Sequence, residues 1–225
     1  MVKRIQPLQK AFTLVEMLVV LAIISMVMIV TLLSSNQFNQ SIILVDTAHS
    51  VAMSIREAQT FGISTKQFSG VQDAGYGVSF TSSKTNGYTL FADIYPAKPG
   101  DSLSGKCPLH TPGADAPDQR PGNCLYNITQ NEKVNDVTLP GNYSFSSVCG
   151  RVSASARYCL GTDLTAFDIV YIRPNTETVI IGTNGASTYT LSDACIIVKA
   201  PGASGATKSI YVSKVGQIAV VSTCP

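Results

Sequence analysis

At 225 residues, 45% of them hydrophobic and 13% charged, the chain is long enough to bury a real core. Its formal charge is +2, but Lys3, Arg4 and Lys10 precede residue 12, and without them 13 basic residues face 14 acidic ones. Near-neutrality speaks against the basic footprint of a nucleic-acid binder. The two histidines, far apart and outside any Ser or Cys nucleophile motif, leave no hydrolase constellation, and no Gly-rich phosphate loop sits between a strand and a helix.

Residues 1–11 read as a leader, with Pro7 separating them from the helix that follows. The run 12–33 is apolar and long enough to cross a hydrocarbon core, which takes about 20 residues. One charge interrupts it. Glu16 lies near its start, and between Phe12 and Val45 there is no other charged residue or histidine. An acid at mid-membrane costs roughly 2.5–3.5 kcal/mol on insertion scales, and less near an interface, so an unpaired one points to a function and a partner. The natural partner is a cation from another chain, such as an α-amino group freed by cleavage before Phe12.

Other N-terminal signals fit less well. A secretory signal needs a small-residue cleavage site after the apolar run, and 31–36 offers no Ala-x-Ala pattern. A lipoprotein signal needs a cysteine there, and the first is Cys107. A plain signal anchor gives no reason for Glu16. The basic leader places the N-terminus in the cytoplasm and sends the rest outward.

The segment Lys10-Ala11-Phe12-Thr13-Leu14-Val15-Glu16-Met17-Leu18-Val19-Val20 resembles the class III signal of type IV prepilins and type II secretion pseudopilins. The resemblance implies that prepilin peptidase cuts between Ala11 and Phe12 and methylates the new N-terminus. It also implies that Glu16 registers each subunit against its neighbour. The family usually has Gly before the cut; Ala11, the next smallest side chain, is expected to be processed. The implied partners are other pilin subunits, prepilin peptidase, an inner-membrane assembly platform and the bacterial inner membrane, with no cofactor and no enzymatic activity. The implied fold is α+β: the pilin fold, a long N-terminal helix, membrane-spanning in its first half, packed on an antiparallel β-rich head.

With no proline between Pro7 and Pro96, the helix is expected to continue through an amphipathic stretch over 34–66. There Leu44, Ala48, Val51, Ile55 and Ala58 form one apolar stripe, and Gly62 offers a left-handed stop. From Tyr76 onward the period is that of strands. Segments 77–80 and 88–94 read as a hairpin with Asn86-Gly87 near its tip, and further strands are expected at 143–148, 167–172, 178–181, 194–199, 209–215 and 217–221. The stretches at 46–66 (with Ser54-Ile55-Arg56-Glu57-Ala58-Gln59), 88–93 and 210–218 resemble the GspH/FimT-type minor pilins.

Within the head domain 67–225, a proline-rich insertion at 96–123 reads as an exposed loop. Cysteines at 107, 124, 149, 159, 195 and 224 all lie beyond the membrane, an even number suited to disulfides. Bracketing suggests Cys107–Cys124, Cys149–Cys159 and Cys195–Cys224, though six cysteines allow 15 connectivities. Cys107, His110 and Cys124 lack a fourth zinc ligand. Arg151, Arg157 and Tyr158, between Cys149 and Cys159, form a candidate contact for DNA phosphates and bases or for a partner; a solvated polar hairpin is the plainer reading. Family members that resemble DNA receptors carry basic residues after the C-terminal Gly, whereas here Gly216 precedes Gln217.

Overall fold

A computed structural model describes residues 12–64, 66–95, 107, 121–152, 156–173, 177–185, 187–202 and 205–225, apart from the side chains of 33–38. The leader, with Ala11, and most of the insertion, with His110, lie outside the described residues. The chain divides into two compact units, one ending at Ile42 and one spanning Ile43–Pro225. A single helix, α1 (Leu14–Ile63, 50 residues), contributes to both.

In the first unit, Leu14–Leu32 is long and apolar enough to cross a membrane, and its side chains are exposed. Its few hydroxyls are satisfied within the helix. Ser25 donates to the Leu21 carbonyl at 2.7 Å and Thr31 to that of Met28 at 2.9 Å, as polar groups in a lipid-compatible helix must.

In the second unit, α1 buries Leu44, Ala48, Val51, Ala52, Ile55 and Ala58 at helical spacing against the β structure. Thr47 shares that face and donates its hydroxyl to the Ile43 carbonyl at 2.7 Å, so no polar group is stranded. Gly62 is not the left-handed stop its residue type suggested. The helix runs on to Ile63, and a Cβ at position 62 would collide with the Tyr171 backbone carbonyl. What this glycine permits is close approach of helix to strand, sealed by the Arg173 N–H donating to the Gly62 carbonyl at 3.2 Å.

Among the described residues eleven strands follow, in two sheets. Sheet A contains β1 (Gly75–Thr81), β2 (Gly87–Asp93), β3 (Lys133–Thr138), β6 (Ala166–Tyr171), β7 (Thr178–Asn184) and β8 (Ser187–Leu191). Their order across it is β3-β2-β1-β6-β7-β8. Sheet B contains β4 (Ser144–Arg151), β5 (Arg157–Cys159), β9 (Asp193–Lys199), β10 (Thr207–Ser213) and β11 (Ile218–Val221), ordered β11-β10-β9-β4-β5. These strands pair antiparallel with one another, which completes the α+β architecture of a long N-terminal helix with a β-rich head.

Sheet A is covered on both faces. Tyr76, Val78, Phe80, Ile169 and Tyr171 join the main core with the helix stripe. On the opposite face Phe91, Val170, Ile172, Val179 and Ile181 form a second core with Cys107 and Cys124, against which Leu125 and Tyr126 pack. Two-sided burial explains why β1 and β2 are buried along nearly their whole length instead of at alternate residues.

Strands β3, β5 and β8 were not anticipated from sequence. The segment between Cys149 and Cys159 takes the plainer reading, a hairpin, with Gly150 opposite Tyr158 and Arg151 opposite Arg157.

Candidate functional site

The N-terminal site is built on the first turn of α1. Thr13 lies just outside the helix, and its hydroxyl accepts from the Glu16 N–H at 3.3 Å while its carbonyl accepts the same N–H at 3.1 Å. Thr13 is therefore the helix cap and Glu16 its third residue, the Thr-x-x-Glu spacing of a capping box. Sequence reasoning singled out Glu16 but missed Thr13, although that spacing could have revealed it. A carboxylate in the first turn is favoured by the positive end of the helix dipole, and this position also leaves it open to a second molecule. No ion pair of Glu16 occurs among the described residues, and Phe12 stands 74% exposed at the head of the apolar surface.

The six cysteines are joined as Cys107–Cys124, Cys149–Cys159 and Cys195–Cys224, with no free thiol. Neither sulfur of the first bridge is available as a thiolate ligand for zinc, and among the described residues no group of His, Cys, Asp or Glu is arranged to hold a metal. Cys149 and Cys159 face each other across β4 and β5, and Cys149 is also opposite Cys195 on β9, so two bridges lie side by side in sheet B.

The hairpin residues are engaged within the protein. Arg151 forms an ion pair with Asp193, a nearly fully buried acid, donating through Nε at 2.5 Å, and its own N–H binds the same carboxylate at 3.0 Å. The carboxylate's hydrogen bond and charge hold the Arg151 guanidinium above its ordinary value. Arg157 donates to the Pro225 carbonyl at 3.1 Å. Tyr158 stacks on Tyr189 with ring centroids 4.7 Å apart, bringing β5, an edge of sheet B, against β8, an edge of sheet A. His49 stands exposed on α1.

One polar cluster escaped the sequence reading. Asp93, Glu132 and Asp168, each at most 2% exposed, gather where the chain leaves β2 and where it returns toward β3. Asp93 accepts from the N–H groups of Asn123 (2.9 Å) and Cys124 (2.7 Å). Glu132 accepts from Ile94 (3.2 Å), Tyr95 (2.8 Å) and Asn127 (2.6 Å). Burial pushes Glu132 up to about 6 against the pull of those N–H donors. It pushes Asp168 to about 7, opposed by the Ser79 hydroxyl and the Tyr126 N–H. Asp93 is raised well above the carboxyl range, first by burial and then by the charge of Glu132.

Residues 7–32 match the family described as the prokaryotic N-terminal methylation motif. The motif is that of a type IV pilin-like N-terminus, and it implies processing by prepilin peptidase. No curated protein and no solved structure matches the chain.

Proposed function

We propose that this chain, bearing the methylation motif at its N-terminus, is a minor pilin or pseudopilin of a type IV pilus or type II secretion filament. The observation that carries the reading is the pairing of that motif with an exposed apolar segment, Leu14–Leu32, whose one acid sits in the first turn of the helix. The precursor waits in the bacterial inner membrane with its leader in the cytoplasm and its head in the periplasm. Prepilin peptidase cleaves between Ala11 and Phe12 and methylates Phe12, and the subunit passes from lipid into a helical filament with its head facing outward. Burying Glu16 among apolar helices is costly alone and offset by the amine of an adjoining subunit, so the acid sets register.

The test is direct. Mass spectrometry of the protein from cells is expected to find a methylated Phe12 N-terminus; a chain still carrying its first eleven residues overturns the reading. Glu16→Ala is expected to insert and be cleaved normally yet largely fail to enter filaments. Filament incorporation equal to wild type would remove Glu16 from the mechanism.

DNA binding for natural transformation is the second reading. Arg151, Arg157 and Tyr158 would supply it, but each already serves an internal contact, which favours the structural role. A salt-dependent mobility shift of DNA by the purified protein would reverse that preference.

A further inference from the structure

Sheet B carries two disulfides on one face, and the register of its strands sets their sulfurs in a row. Cys159 on β5 is opposite Cys149 on β4, and Cys149 is opposite Cys195 on β9. Residues opposite one another across a ladder project to the same face, so Cys149 has a cysteine in register on either side. Its bridge runs to one of them, Cys159, and the other, Cys195, is joined to Cys224. The fourth sulfur belongs to the same group. Arg157, two residues before Cys159 and therefore on the same face of β5, donates to the carbonyl of Pro225, the residue after Cys224, at 3.1 Å. The segment around Cys224 thus reaches β5 as well as β9.

We propose that these two bridges form an exchangeable pair, which a thiol catalyst converts from Cys149–Cys159 and Cys195–Cys224 to Cys149–Cys195 and Cys159–Cys224.

Burial decides where the reaction begins. Cys149 and Cys195 are buried, whereas Cys159 and Cys224 are half-buried and open to a second molecule. A thiolate from a small thiol or a thiol–disulfide oxidoreductase attacks the Cys224 sulfur, forms a mixed disulfide there and displaces the Cys195 thiolate. That thiolate is set free within the sheet, opposite Cys149. It attacks the Cys149 sulfur, the Cys149–Cys195 bond forms, and Cys159 leaves as a thiolate. Cys159 then attacks the mixed disulfide at Cys224 and releases the catalyst as the thiolate that entered. Both pairings hold the same number of S–S bonds, so no oxidant or reductant is consumed. Cross-strand partners have Cα atoms about 4.5–5.5 Å apart, within the range a disulfide spans. Holding both reactants on paired strands makes the middle step intramolecular, which favours it over attack by a second protein.

The exchange moves covalent support from the periphery of sheet B to its interior. In the first pairing β5 is fastened to β4, and the segment around Cys224 to β9. In the second, the new bridge joins β4 to β9, which a ladder already holds, while β5 and that segment are fastened only to each other. Because β5 is an edge strand with a three-residue ladder, it becomes free to peel away, taking Tyr158 off Tyr189. The remaining bridge supplies a control, since Cys107 and Cys124 are fully buried in the second core, on sheet A.

Full-length protein in detergent micelles, incubated in a glutathione redox buffer, quenched with acid and alkylated, tests this. Digestion with trypsin and an Asp-specific protease places the six cysteines on separate peptides. Mass spectrometry is expected to find the Cys149–Cys195 and Cys159–Cys224 peptide pairs appearing together in at least about one molecule in ten, with Cys107–Cys124 retained. The first pairing alone after prolonged incubation overturns the proposal. Scrambling that draws in Cys107 and Cys124 equally also overturns it, because that reports unfolding. Cys224→Ser tests the middle step without a catalyst, since it leaves Cys195 unpaired beside the other bridge. Purified without added thiol, the variant is expected to carry Cys149–Cys195 with Cys159 alkylated in at least about one molecule in ten. Alkylation at Cys195 alone, with Cys149–Cys159 intact, refutes the exchange. Should the variant misfold, the wild-type measurement decides.

Discussion

Gly62 illustrates what a single residue reveals only after the chain is folded. Its type and position marked a helix end, which was nearly right in place and wrong in cause. The backbone there is ordinary helix, and the missing side chain makes room for the Tyr171 carbonyl. Gly62→Ala is therefore expected to cost about 1–3 kcal/mol through overpacking, seen as a lower midpoint in thermal unfolding with the helix signal retained. A midpoint equal to wild type would show that helix and strand can part without penalty. Glu16 was legible because a lone acid in an apolar run is conspicuous. Thr13 and Glu132 were not, since a threonine or a glutamate gains meaning only from the N–H groups it meets.

Among elements, the overlooked strands have something in common: β3, β5 and β8 are all edges of their sheets. An edge strand with a solvated side carries polar residues, as in the Lys-Val-Asn-Asp-Val-Thr of β3, and shows no clean alternation. Interior strands such as β1, β6 and β9 stood out because burial demands continuous apolar sequence. The cysteine spacing suggested three bridges among many arrangements, and what selects the second is sheet register: Cys149 and Cys159 are cross-strand partners. Replacing both by serine should lower stability by about 2–3 kcal/mol through the entropy of the freed chain, measured by denaturant unfolding under oxidising conditions. The stacked Tyr158 and Tyr189 would then lose mutual quenching in fluorescence as β5 frays.

For the whole molecule, the order of helix first and strands after was enough to give the α+β class, because apolar period changes once, near Tyr76. The division into two sheets and the double covering of sheet A were not legible; both depend on contacts between residues far apart in sequence. The unit boundary yields a further expectation. A chain beginning at Ile43 keeps Leu44, Ala48, Val51, Ala52, Ile55 and Ala58 and should be soluble with a cooperative melt. One beginning at residue 64 exposes the core face those side chains cover, and should aggregate or bind hydrophobic dyes. Equal behaviour of the two in size-exclusion chromatography would mean the helix adds little to the head.

Two side chains of α1 reach the last hairpin of the head: Arg56 donates to the Ile218 carbonyl at 3.1 Å and Gln59 to that of Gly216 at 3.2 Å. The partners are separated by 162 and 157 residues. Helix turns made early in synthesis must therefore wait for a hairpin translated 157 to 162 residues later. Contacts so far apart in sequence form slowly, so the closure of the head comes late in folding. During that interval the stripe from Leu44 to Ala58 lies bare, an opening for chaperones and proteases to reach the chain before the head has closed over it.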